Sequence, residues 1–226
     1  MSFADKAIAF FNDLKPPGRL APGVKPLYPH KNAGIQELIR QFFNRYYADE
    51  QKRFILIGIN PGRFGAGITG INFTAPKQLD TVLGIPHNLG DSSELSAEFI
   101  YAVIEAFGGP SAFYKQFYLG SVSPVGFIKN GKNLNYYDDP ILLERIRPYA
   151  VQQLKKQLEF GINRSIAICI GGDKNLRFLQ GINQQYRFFE ELKAVPHPRF
   201  ILQYRRADKA DFILQYLEEL AYCIKK

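Results

Sequence analysis

The 226-residue chain has no tryptophan, one methionine, two cysteines and three histidines. Each shortage closes a class of function. Cys169 and Cys223 are too few for a disulfide framework or for a four-cysteine metal or iron–sulfur site, and His30, His87 and His197 lie without metal-ligand spacing. No metal and no cofactor are expected. Long apolar runs are missing too: Phe54 to Ile59 and Ile166 to Ile170 suit buried strands and fall far short of the roughly 20 residues that span a bilayer. The first residues carry Asp5 and Asp13 and lack the order of a secretory signal. A cytoplasmic protein with no membrane partner is expected. No GxGxxG follows the first strand in register and no Walker lysine follows its glycines, which excludes a dinucleotide-binding or P-loop reading.

What is present is enough apolar residue, 46% of the chain, for one sizeable core, so a single domain over 1–226 is expected, with N-terminal helices within 1–50 packed on it. The 29 basic against 21 acidic residues, a formal charge of +8, favour a polyanionic partner but are weak evidence alone. Phe3, Ala7, Phe10, Phe11 and Leu14 recur at helical spacing after Ser2 and stop at Pro16-Pro17-Gly18; a second amphipathic helix opens at Asn32. Strands are expected at Arg53 to Gly58, Phe117 to Val122, Ser165 to Ile170 and Leu192 to Val195. Helical patterns lie between them, near 77–83, at 97–107, and at 140–160 with an interruption at Pro148; a closing helix covers 208–224. This alternation predicts an α/β fold: a three-layer α/β/α sandwich around a central, mostly parallel four-stranded sheet.

Open α/β sheets bind ligands beyond the carboxyl ends of their strands. Three loops qualify: Gly58-Ile59-Asn60-Pro61-Gly62-Arg63-Phe64-Gly65, Ser121-Val122-Ser123-Pro124, and Pro196-His197-Pro198-Arg199-Phe200. Residues 58–73, GINPGRFGAGITGINF, resemble the first signature of the single-strand-selective monofunctional uracil-DNA glycosylases, with the Asn-Pro-Gly turn, the Phe-Gly and Thr-Gly pairs and the terminal Phe at matching spacing. His197-Pro198-Arg199 is similar to the second signature of that family. The resemblance covers about residues 53–222 and suggests a bacterial side branch. It implies base excision: a damaged base is flipped from DNA and its bond to deoxyribose hydrolysed, leaving an abasic site.

That chemistry develops positive charge on the sugar and negative charge on the departing base. Asn60 suits the first need, because its side-chain carbonyl orients a water although an amide is no effective base. His197 suits the second, since one well-aimed donor at the base O2 is worth ~3 kcal/mol. The resemblance implies Phe73 as the ring under the base and Gly62 as the position that admits groups on the pyrimidine 5-carbon, with Phe64, Ser121 and Ser123 as further base-binding residues. Arg63, Arg199, Phe200, Gln203, Tyr204, Arg205 and Arg206 are expected on the DNA, the stretch 199–206 as a loop that mixes phosphate contacts with a wedge. The partner is then DNA with uracil or another damaged base, and the protein a monomer. Bland readings stand beside these: Asn-Pro-Gly is a turn signal anywhere, His197 could be a plain loop residue, and Phe73 one core ring among nineteen phenylalanines.

Two departures stand out. Where relatives carry a base-reading asparagine three residues before a proline, this chain has Ser121 before Pro124, and one hydroxyl cannot reproduce the paired donor and acceptor of an amide. A purine-like deaminated base such as xanthine or hypoxanthine is therefore a candidate substrate beside uracil. The serine between the two prolines of the second signature is also absent. A mismatch-specific uracil or thymine glycosylase, with a similar first signature but no histidine element, stays as an alternative; so does a non-catalytic nucleic-acid-binding protein on the same scaffold.

Overall fold

The computed structural model describes residues 1–226. Its first helix, α1 (Phe3–Asn12), starts at a capping box: the Ser2 hydroxyl accepts from Asp5 N–H at 3.1 Å while the Asp5 carboxylate accepts from Ser2 N–H at 2.8 Å. A short strand β1 (Val24–Leu27) follows, then α2 (Ala33–Tyr46), capped by Asn32. The buried strand β2 (Arg53–Gly58) leads into the short helices α3 (Ala66–Thr69) and α4 (Pro76–Thr81), then α5 (Leu95–Phe107) and α6 (Pro110–Gln116). The chain continues through β3 (Phe117–Ser121), β4 (Gly126–Lys129), β5 (Lys132–Leu134), α7 (Pro140–Leu158) and β6 (Ile162–Ile170). It ends with α8 (Asp173–Tyr186), β7 (Glu191–Val195), α9 (Pro198–Tyr204) and α10 (Lys209–Lys225).

The four expected strands form the central sheet in the order β3-β2-β6-β7, all parallel. Helices flank it in the three-layer arrangement. Buried Ile55, Leu56 and Ile57 of β2 and Ile166 to Ile170 of β6 join Phe3, Phe10 and Phe11 of α1 and Ile35, Leu38 and Phe42 of α2 in one continuous core. Arg53 is fully buried at the start of β2, which is sustainable because each of its three guanidinium nitrogens donates to a partner and its charge is paired. Its guanidinium pairs with Asp49, donates to the Tyr114 carbonyl and lies against the Phe3 and Tyr47 rings.

Three expectations change. Pro148 does not interrupt its helix: α7 runs from Pro140 to Leu158, because Leu142 and Ile146 before it and Ala150 and Leu154 after it bury against the same core. The stretch after His197 is no loop: Pro198 begins α9, where its fixed φ and missing N–H suit a first helical turn. A second sheet, antiparallel and ordered β1-β4-β5, was not expected. Its hairpin turns on Asn130 (φ 52°) and Gly131 (φ 71°), the two positive dihedrals of a type I′ turn.

Candidate active site

The register of the central sheet assembles the site. Gly58 pairs with Ser121 and Ile170 with Val195, so the loops leaving β2, β3 and β7 emerge together at one end. Between them lies a cavity of about 230 Å³ lined by Asn60, Gly62, Phe73, Ser121 and His197 among others. That is smaller than the usual drug-sized pocket and suits one nucleobase.

Asn60 is held at both ends of its amide. Its Nδ2 donates to the Leu134 carbonyl at 3.2 Å, and its Oδ1 accepts from Tyr136 N–H at 3.0 Å. These bonds fix which end is oxygen and leave Oδ1 one further lone pair for a water. The unexpected hairpin supplies this clamp: β5 ends at Leu134, and Asn133 on the same strand accepts from Arg63 N–H at 3.0 Å, tying down the Asn-Pro-Gly turn. Behind it, the buried Tyr136 hydroxyl donates to Asn175 Oδ1 at 2.7 Å, and Asn175 bonds the Ile170 carbonyl at the end of β6.

His197 is the N-cap of α9. Its Nδ1 accepts from Arg199 N–H at 3.1 Å, so in the neutral ring the proton sits on Nε2. Burial, helped by the nearby Arg199 charge, lowers the imidazole pKa to about 4. At neutral pH the ring is therefore a neutral Nε2–H donor.

Phe73 has a φ of 55°, a left-handed conformation unusual for an aromatic residue. The turn is held around it: Thr69 Oγ1 donates to the Thr74 carbonyl at 2.7 Å and accepts from Ile71 N–H at 3.1 Å. A Cβ at Gly58 would fall 2.6 Å from Phe73 Cζ, so glycine there lets the ring pack against the strand end, where it lines the cavity. Ser121 is buried, its hydroxyl without a partner, while Gln157 grips its backbone from behind.

Other expected residues fall elsewhere. Ser123 is fully buried outside the cavity, its hydroxyl bonded to the Val125 carbonyl at 2.6 Å, so it shapes the turn and is not offered to a base. Phe64 lies on the exposed rim with the Arg63 guanidinium over its ring, in a neighbouring recess. Arg199, Phe200, Gln203 and Tyr204 line the cavity mouth from α9, with Phe200 46% and Tyr204 68% exposed. Arg205 and Arg206 do not line it; they pair with Asp208 at 2.7 Å and Glu98 at 3.5 Å. Residues that sequence reasoning passed over also enter: Asn72, Asn133, Asn135, Tyr137 and Glu94 line the cavity. Asn72 had a signal, standing directly before Phe73 within the first signature. Glu94 had none, being more than thirty residues from that turn in a polar loop. No cluster of histidine, cysteine or carboxylate groups could hold a metal ion.

The family model of the uracil DNA glycosylase superfamily matches residues 45–221. The chain belongs to this superfamily. This glycosylase is also 42% identical to Pedobacter heparinus SMUG2 over 100% of both chains, with a TM-score of 0.96 to its crystal structure. No curated protein matches it. It is thus a hydrolase of N-glycosyl bonds, not a binding protein on a borrowed scaffold, and the full-length likeness favours the single-strand-selective branch over the mismatch-specific alternative.

Proposed function

We propose that this glycosylase flips uracil or a related deaminated or 5-modified base into the cavity and hydrolyses its bond to deoxyribose with Asn60 and His197, leaving an abasic site. The observation that carries the reading is the pairing of a doubly tethered Asn60 carbonyl with a neutral His197 Nε2–H donor in one nucleobase-sized cavity. Asn60 Oδ1 holds a water for attack on C1′. Its pre-set orientation matters more than basicity, because the sugar is already cationic in the transition state. His197 Nε2–H stabilises the charge that develops on the base, and as a neutral donor it needs no change of protonation to do so. Phe73 stacks against the base. No lysine lines the cavity to form a Schiff base, which supports a monofunctional reaction without strand cutting.

The DNA lies across α9 in this reading. Arg199 and Gln203 meet the backbone, and the exposed Phe200 and Tyr204, one helical turn apart, fill the vacated stack. The site is complete within one chain, consistent with action as a monomer, and we place the protein in the cytoplasm. The test uses oligonucleotides, single- and double-stranded, each with one uracil, 5-hydroxymethyluracil, hypoxanthine or xanthine, followed by alkali to reveal abasic sites. Uracil release without strand breaks before alkali supports the reading; intact DNA in every case refutes it.

A further inference from the structure

Glu94 is the one carboxylate lining the cavity, and nothing in the fold uses it. It occupies the N-cap position of α5, yet its side chain does not cap that helix. The carboxyl turns instead to the Asn-Pro-Gly turn. A Cβ on Gly62 or on Gly65 would lie 3.1 Å from Glu94 Cδ in each case, so these two glycines form the seat of the carboxyl. It makes no ion pair and no hydrogen bond there. Burial raises its pKa above the ordinary carboxylate value, against the pull of Arg199.

An ionised carboxylate would repel a base departing with negative charge, whereas a protonated one is a hydrogen-bond donor. Base chemistry indicates what it meets. When purine and pyrimidine nucleotides are superposed on the glycosidic bond, pyrimidine O2 and purine N3 lie on one flank of the glycosidic nitrogen. Pyrimidine C5 and purine N7 lie on the other. His197, Asn60, Gly62 and Glu94 line one cavity, and in the proposed pose, with His197 on the O2/N3 flank and Asn60 below the sugar, the opposite flank is turned to Gly62 and the carboxyl seated there.

We propose that Glu94 is a specificity-determining acid which donates to N7 of a flipped deaminated purine and so extends excision from uracil to that class of base. This rests on the base pose proposed above. The Glu94 proton passes to N7 as the C1′–N9 bond breaks, its electron pair moving into the ring, so the purine leaves neutral. Water adds its oxygen to C1′ and releases one proton to solvent, from which Glu94 regains its own. Uracil offers a carbon at this flank and has no use for the acid. The unpartnered Ser121 hydroxyl, in place of a uracil-reading amide, fits the same widened choice.

The charged and titratable groups around Glu94 are Arg199 of α9, Arg63 of the turn and Lys132 of β5 in the adjoining recess, and His197, Tyr137 and Tyr204 in the cavity. The cations favour the ionised form and burial opposes them.

The experiment compares single-turnover release of hypoxanthine and uracil from single-stranded oligonucleotides between pH 5 and 9, for the wild type, Glu94→Gln and Gly65→Ala. Glu94→Gln should slow hypoxanthine release at least tenfold more than uracil release. The wild-type hypoxanthine rate should fall about tenfold per pH unit above the carboxyl pKa, and this dependence should vanish in Glu94→Gln. Gly65→Ala, which unseats the carboxyl while keeping it and lies outside the cavity lining, should reproduce the selective loss. Equal losses on both bases, a pH dependence that survives in Glu94→Gln, or a wild type that releases uracil but no hypoxanthine would each overturn the proposal. A wild type that releases neither base refutes instead the functional reading beneath it.

Discussion

At the scale of single residues, the account rests on protonation and orientation fixed before substrate arrives. His197 has a lowered pKa of about 4 and is neutral through the physiological range. The uracil-release profile should therefore show no inflection near pH 6.5, and activity attributable to this ring should fall only as pH approaches about 4. There, protonation of Nδ1 would also break the cap it provides to Arg199 N–H. A stopped-time assay from pH 4 to 8 checks this; a midpoint near 6.5 that disappears in His197→Gln would contradict it. His197→Ala should slow uracil release by about 10²- to 10³-fold at neutral pH, the usual effect of losing one transition-state donor. Much of this was legible in the sequence. Asn60, Gly62, Phe73 and His197 stand in signatures whose spacing survives in a single chain, and the cavity contains all four. Ser123 and Phe64 were misjudged for a local reason: membership of a loop does not say which side chains turn inward, and a hydroxyl two residues before a carbonyl bonds to it.

At the scale of elements, the hairpin β4–β5 positions the Asn60 amide and Tyr136 locks that clamp to β6. Tyr136→Phe strands the buried Asn175 Oδ1, which should cost about 1 to 3 kcal/mol of stability in urea unfolding. It should also reduce the rate of base release more than DNA affinity, since Tyr136 only supports the backbone N–H that orients Asn60. An unchanged rate in a destabilised variant would separate the hairpin from catalysis. On α9, Phe200→Ala and Tyr204→Ala should each weaken single-stranded DNA binding by about 1 to 3 kcal/mol, as for lost base stacking. Arg205 and Arg206 are already paired, so their joint replacement should weaken binding to all sequences alike and flatten the salt dependence by less than the ~0.9 per free phosphate contact. Fluorescence anisotropy over a salt series measures both effects. The central strands could be read from their apolar runs, but the hairpin could not be read in the same way. β5 has three residues and β1 contains Pro26, so neither shows a period, and only the Asn130-Gly131 turn marked the place. Glu94 was invisible for a related reason, its meaning arising from glycines about thirty residues away that leave it a seat.

At the scale of the whole molecule, the N-terminal helices are joined to the catalytic end through His30. Its ring is buried and stacked on Phe11, with Nε2 donating to the Gly70 carbonyl at 3.3 Å, in the turn that carries Phe73. Burial lowers its pKa to about 4, so between pH 6.5 and 4 the unfolded chain binds the proton that the folded chain excludes. Stability should thus fall as pH drops through this window, by about 3 kcal/mol at pH 4 for such a histidine. Urea titrations at pH 7 and 4.5 should show this loss, smaller in His30→Gln; a flat profile would place His30 in contact with solvent. The central claim is that a tethered asparagine and a neutral histidine hydrolyse the glycosidic bond of a base held in this cavity. Single-turnover release of uracil from a single-stranded oligonucleotide, measured with the dissociation constant for wild type and Asn60→Ala, tests it most directly. The account predicts a rate lower by at least about 10²-fold with affinity changed less than about threefold, because the lost carbonyl acts on water and not on DNA. A folded Asn60→Ala protein that releases uracil at near the wild-type rate would contradict it.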